Sequence, residues 1–214
     1  MKTRDRIIHS ATELFNDQGE RNITTNHIAA HLGISPGNLY YHFRNKEDII
    51  HSIFDQYARH LSESFTPARS DEIKLENLMG YLDAIFYLMW QFRFFYANLP
   101  DILSRDEPLQ QKYLKAQEQL RAAVVALLRS LREGGIINVS DEDLPDLGQT
   151  IKMVVTCWIP FQIAQAPSTR ITKPLLYQGV LRVLFLLRPY VQPQVADQIR
   201  QLEQHYRQLA QPAG

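Results

Sequence analysis

Apolar positions at the start of this chain recur at three- and four-residue intervals. Ile7, Ile8, Ala11, Leu14 and Phe15 make one stripe over residues 3–18, and Gly19 stops that helix. Thr24 or Thr25 caps a short second helix with Ile28, Ala29 and Leu32 on one face. Gly33 ends it, because a residue without a Cβ takes the left-handed conformation at little cost. Ser35 as N-cap and Pro36 as first helical residue start a third helix, anchored by Leu39 and Phe43. Asn45 caps a fourth, whose stripe of Ile49, Ile50, Ile53, Phe54, Tyr57, Leu61 and Phe65 is long enough to leave the first three helices behind. Thr66, Pro67 and Ser70 then break the pattern.

From Asp71 the chain turns to long helical patterns without strand alternation. The first, 71 to about 97, is apolar nearly all round, which marks a helix inside a bundle, and Pro100 is expected to end it. A second runs from Asp106 to about Arg132 and closes at Gly134-Gly135. A third spans 141–166, with a kink expected at Pro160. A fourth spans 173–190, and an amphipathic helix covers 193–209. The fold class is therefore all-α: a three-helix head in residues 1–48, a linking helix over 49–65, and a larger helical domain occupying 49–214. Helices 141–166 and 173–190 carry more apolar surface than one packing face uses, which predicts a partner surface.

Composition changes this picture little. Of 214 residues 45% are hydrophobic, enough for a core, and the formal net charge is zero. Lys2, Arg4, Arg6, Arg21, Arg44, Lys46 and Arg59 balance Asp5, Glu13, Asp17, Glu20, Glu47, Asp48 and Asp55 in the first 60 residues. Binding to a polyanion would rest on where charge is placed rather than on its amount. The lone Cys157 excludes an intrachain disulfide and, within an apolar run, reads as a buried inert thiol. Charges in MKTRDRIIHSATELF interrupt any signal-peptide core, and the uncharged stretch Met153–Thr169 contains Pro160, Gln162, Gln165 and Pro167 and falls short of a membrane span. A cytoplasmic protein, without membrane contact, is expected.

Two short helices joined by a glycine turn are the helix-turn-helix pattern, in which the second helix lies in the major groove of DNA. Apart from Leu39 and Phe43, that helix carries Gly37, Asn38, Tyr40, Tyr41 and His42, hydrogen-bonding groups where an ordinary solvated face would carry Glu and Lys. Gly33-Ile34-Ser35-Pro36-Gly37 also fits the G-x-S-x-G elbow of serine hydrolases. That elbow needs a buried strand before the serine, and HIAAHL has helical spacing, so Ser35 reads as an N-cap. His27 and His31, four apart, lack the glutamate or further ligands of a metal site, and no E-x-x-H occurs anywhere. No catalytic constellation, metal site or cofactor is predicted.

The run GISPGNLYYHFRNKEDII, within a match extending from about Ile7 to Phe54, resembles the helix-turn-helix signature of the tetracycline-repressor-type (TetR/AcrR) family of bacterial transcriptional regulators. The resemblance implies base contacts from Asn26, Pro36, Gly37 and Asn38, and phosphate contacts from Thr25, Tyr40, Tyr41, His42 and Lys46. It also implies a homodimer through an intersubunit four-helix bundle of helices 141–166 and 173–190, a palindromic double-stranded DNA operator, and a small-molecule effector that releases the repressor. Tyr81, Phe86, Trp90, Phe94, Trp158 and Phe161 are candidates to line the effector pocket, against plain core packing of the same side chains. The alternative reading is an all-α small-molecule-binding protein or enzyme with a vestigial DNA-binding head.

Overall fold

The computed structural model describes residues 2–66, 75–167 and 170–212. They form ten helices in chain order: α1 (Thr3–Gln18), α2 (Thr25–Leu32), α3 (Pro36–His42), α4 (Lys46–Ser64), α5 (Leu75–Gln91), α6 (Arg93–Ser104), α7 (Glu107–Glu133), α8 (Leu144–Gln165), α9 (Lys173–Leu187) and α10 (Ala196–Leu209). Extended pairing among the described residues is one isolated antiparallel bridge, Ile137 with Val191. The pattern break at Pro67 and Ser70 and the helix start at Asp71 lie outside the described residues.

The stripes of the first four helices converge on one core. Ile7, Ala11, Phe15, Ile28, Ala29, Leu39, Ile49 and Ile53 are fully buried, as α1 packs across α2 and α4 and α2 packs on α3. Each large apolar side chain so buried contributes about 1.5–3 kcal/mol, which is what lets helices as short as α2 and α3 persist. The head is thus three helices closed by the first turns of α4. Further along, α4 passes into the larger domain and packs on α5 and α7. There α8 packs against α6, α7 and α9, while α9 also holds α5 and α10. Tyr206 of α10 is fully buried and donates a 2.7 Å hydrogen bond to Asp83 Oδ1 of α5.

Three expectations are corrected. The single helix anticipated up to about residue 97 is two, α5 and α6, parted at Phe92. A distant side chain makes the break: Asn16 of α1 accepts from the Phe94 amide at 3.0 Å and donates to the Gln91 carbonyl at 2.8 Å, replacing helical hydrogen bonds on both sides of the joint. Pro100 does not end a helix but lies inside α6. Having no N–H for the carbonyl four residues back, it is accommodated by non-helical angles at Asn98 (φ −130°, ψ 17°). Finally, Cys157 is exposed, because the apolar run containing it forms the outer face of α8 as well as the inner one.

Candidate nucleic-acid interface

Local chemistry shapes the α2–α3 pair residue by residue. Thr24 Oγ1 accepts from the His27 amide, and His27 Nδ1 accepts from the Thr24 amide, both at 3.3 Å, a reciprocal cap. Gly33 ends α2 at φ 66°, ψ 30°, and the Ile34 amide reaches back to the Ala29 carbonyl at 3.0 Å. Ser35 Oγ accepts from the Asn38 amide at 3.2 Å, and Pro36 occupies the first helical position. Asn45 Oδ1 then accepts from the Asp48 amide at 2.8 Å to begin α4.

Leu39 and Phe43 pin the inner side of α3 to the core. Its outer side faces solvent: Pro36, Gly37, Asn38, Tyr40 and Tyr41 are exposed, as is Asn26 of α2, while Thr25 and His42 are half-buried. Tyr41 is 85% exposed, against 48% for Tyr40. Tyr40 is held by a 3.0 Å hydroxyl–hydroxyl bond to Thr25, and Tyr41 meets the His42 ring edge-on at 5.1 Å. Eight of the nine predicted DNA-contact residues are thus exposed or half-buried on α2 and α3, with Thr25 and Tyr40 in direct contact across the pair.

The ninth, Lys46, is engaged inside the protein. Its ammonium lies 2.7 Å from Glu20 Oε1 and donates to the Glu20 carbonyl at 3.0 Å, with only 20% of the side chain exposed. Glu20 is 1% exposed, and Arg105, the residue that caps the C-terminus of α6, holds its other carboxylate oxygen at 2.9 Å. Burial pushes the Glu20 carboxyl upward, but the hydrogen bonds and charges of Lys46 and Arg105 outweigh it and hold the group below its ordinary value. Arg105 also reaches Asp101 at 3.1 Å, and Asp101 in turn pairs with Arg21, whose hydrogen bond holds that carboxyl below the usual range. The sequence does not announce this network, since its members come from three separate segments, 20–21, 46 and 101–105. A second tie runs from Arg93 to Asp17 at 2.6 Å, beside the Phe15–Phe94 ring contact at 5.3 Å. Both ends of α6 are fastened to the head.

The six predicted pocket residues do not share a cavity. Phe94 belongs to the joint with the head. Phe86 stacks flat on Tyr177 at 4.0 Å, and Trp90 has the Arg93 guanidinium 4.3 Å and the Lys173 ammonium 5.4 Å from its ring. Tyr81 stacks on Phe65 beside a small internal space of about 40 Å³. Only Trp158 and Phe161 come together, along an open apolar groove between α8 and α9. A half-open cavity of about 320 Å³, lined by Ala58, Leu61, Phe65, Ala116, Gln119 and Leu120 among others, lies between α4 and α7.

The geometry defines a class: an all-α protein with a helix-turn-helix head mounted on a helical bundle. Residues 7–53 match the family model described as bacterial regulatory proteins, tetR family, and residues 56–199 match TetR, bacterial transcriptional repressor. A TetR-family transcriptional regulator from Marinobacter aquaeolei VT8 superposes with TM-score 0.86 at 41% identity, covering 97% of this chain and 100% of that one. The chain belongs to the TetR family of bacterial transcriptional regulators. Among curated relatives, the HTH-type transcriptional regulator SrpR of Pseudomonas putida is 33% identical over 85 residues, 39% of this chain and 40% of SrpR. An HTH-type regulator of Staphylococcus aureus is 40% identical over 55 residues, 26% of this chain and 30% of its own length. The solved SmeT–triclosan complex shares the fold at 18% identity, with TM-score 0.59 and coverage of 90% and 93%.

Proposed function

We propose that this chain is a homodimeric, cytoplasmic repressor whose two heads read a palindromic operator and which a small-molecule effector releases. The observation that carries the reading is α3, pinned by Leu39 and Phe43 with its outer side chains unobstructed. Base contacts are assigned to Asn26, Pro36, Gly37 and Asn38, and backbone contacts to Thr25, Tyr40, Tyr41 and His42. Lys46 can join the second group only by loosening its hold on Glu20.

Dimerisation is supported by the outer face of α8 and α9, where Met153, Phe161 and Phe185 are each more than half exposed. Two-fold symmetry then sets half-sites about 10 bp apart or a little more. Effector control is supported by the cavity between α4 and α7, because α4 continues into the head. Deeper along α4, Tyr57 meets the ring of Tyr96 of α6 edge-on at 6.2 Å, and desolvation holds both buried phenols in the neutral form. A ligand that favours one spacing of α4 and α6 shifts the heads by its difference in affinity for the two states. Among the described residues no helix is long and apolar enough to cross a membrane.

The test is a fluorescence-anisotropy titration of the full chain against duplex from upstream of its own gene, at two salt concentrations. Saturable binding that outcompetes random duplex and weakens with salt is expected. Tyr41→Ala, which removes no packed side chain, should weaken it at an unchanged melting temperature. Equal affinity of Tyr41→Ala and the unsubstituted protein would refute the placement of α3 on DNA.

A further inference from the structure

We infer that the half-sites read by this head carry A·T pairs beneath the first turn of α3, with Asn38 as the adenine-specifying side chain. The inference rests on the DNA-binding reading above and names the bases it recognises.

Guanine is most often read by a cationic side chain whose donors meet O6 and N7 together. Neither α2 nor α3 contains a lysine or arginine. Three cations of the head are paired within the protein: Arg44 with both oxygens of Asp48 at 2.9 and 3.2 Å, Lys46 with Glu20, and Arg21 with Asp101, while Lys2 and Arg6 belong to α1 and its N-cap, outside the α2–α3 pair. Arg4 donates to Ser52 Oγ at 2.8 Å and lies over the Phe43 ring. His27 spends Nδ1 on the Thr24 amide and keeps one ring nitrogen, so it presents no fork.

Asn38 offers the opposite complement. Its main-chain amide is already taken by Ser35, through Oγ at 3.2 Å and the carbonyl at 3.0 Å. The exposed side-chain amide is left with one donor edge and one acceptor, matching adenine N7 and N6. Pro36 beside it has only C–H surface, suited to a thymine methyl group.

Gly37 supports the close approach of a base that this pairing requires. A glycine costs up to about 1 kcal/mol relative to alanine inside a helix, and less in the first turn where Gly37 lies. Yet a Cβ at Gly37 would meet nothing closer than Ser35 Oγ at 3.9 Å, and its φ is not in the left-handed region. No neighbour within the protein calls for its absence. The missing side chain is instead room for a base edge to approach the backbone next to Asn38.

The experiment is selection of the full-length protein on a random-sequence duplex pool, repeated with Asn38→Ala and Gly37→Ala, each first checked for an unchanged or raised melting temperature. Unsubstituted protein should enrich symmetric sites with adenine at one fixed position per half-site. Asn38→Ala should lose that preference while keeping its salt dependence. Replacing that adenine by 7-deazaadenine should weaken binding of the unsubstituted protein about ten-fold or more. Gly37→Ala should weaken specific binding although it helps the helix. Enriched sites with G·C at that position, selected alike by Asn38→Ala, would overturn the inference and leave the DNA-binding reading standing. No enrichment over random duplex would overturn both.

Discussion

Replacing Lys46 by methionine isolates the electrostatic hub between head and body. The methionine stem keeps the packing of the lysine and removes only the ammonium. Glu20, 1% exposed, is then left with Arg105, which is 42% exposed and correspondingly screened. Removing one partner of a buried ion pair costs about 3–5 kcal/mol when nothing replaces it. Because Arg105 stays and Lys46 itself is 20% exposed, the expected loss is smaller, about 2–3 kcal/mol. At about 2–4 °C per kcal/mol for a chain of this size, melting should fall by roughly 5–10 °C.

Urea unfolding followed by circular dichroism, at one protein concentration because the chain is proposed to dimerise, measures the loss. A cycle of Lys46→Met, Glu20→Gln and the double variant should show coupling of about 1.5 kcal/mol or more. A loss below about 0.5 kcal/mol for Lys46→Met, with additive single effects, would refute the argument and class the contact with screened surface pairs. The same variant separates the two roles open to this residue. If the ammonium leaves Glu20 to meet a phosphate, the logarithmic salt slope of operator binding drops by about two, one for each head of the proposed dimer. If it stays with Glu20, stability falls while that slope is unchanged.

Since the folded Glu20 carboxyl lies below its ordinary value of 4.5, its contribution is complete above that pH and is lost as pH falls through the folded value. Glu20→Gln should therefore flatten the acid limb of a stability-versus-pH curve, and an unchanged limb would assign that limb to other carboxylates. Gly179→Ala places a Cβ 2.7 Å from Trp158 Cδ1, while the indole is held by a 2.8 Å bond to the Leu175 carbonyl. A loss of about 1–3 kcal/mol in urea unfolding should follow from overpacking between α8 and α9, and a neutral result would mean the ring can slide away. Phe161→Asp, on the open face of α8, should leave helicity by circular dichroism intact and yield a monomer by sedimentation velocity; a persistent dimer would move the interface elsewhere.

Features with local causes could be read directly along the chain. Gly19 and Gly33 end their helices, Thr24, Ser35 and Asn45 cap the next ones, and each apolar stripe of the head turns inward, because caps, turns and periodicity act within a few residues. The recognition helix and the identity of its exposed side chains were legible for that reason, and so was the family. Partners far apart in the chain were decided only by the tertiary structure. Asn16 divides α5 from α6 where the local pattern is continuously helical, and Glu20 claims the Lys46 ammonium that the family signature alone would send to a phosphate. The aromatic side chains of the larger domain have the composition of a pocket, yet packing sends them to a stacked pair, a contact with two cations, the joint with the head and an open groove. An apolar residue in a helix states that it prefers to leave water; which surface covers it depends on where the other helices lie. Cys157 shows the same limit, since its neighbours are apolar toward the core on one side of α8 and, on the proposed reading, toward a second copy on the other.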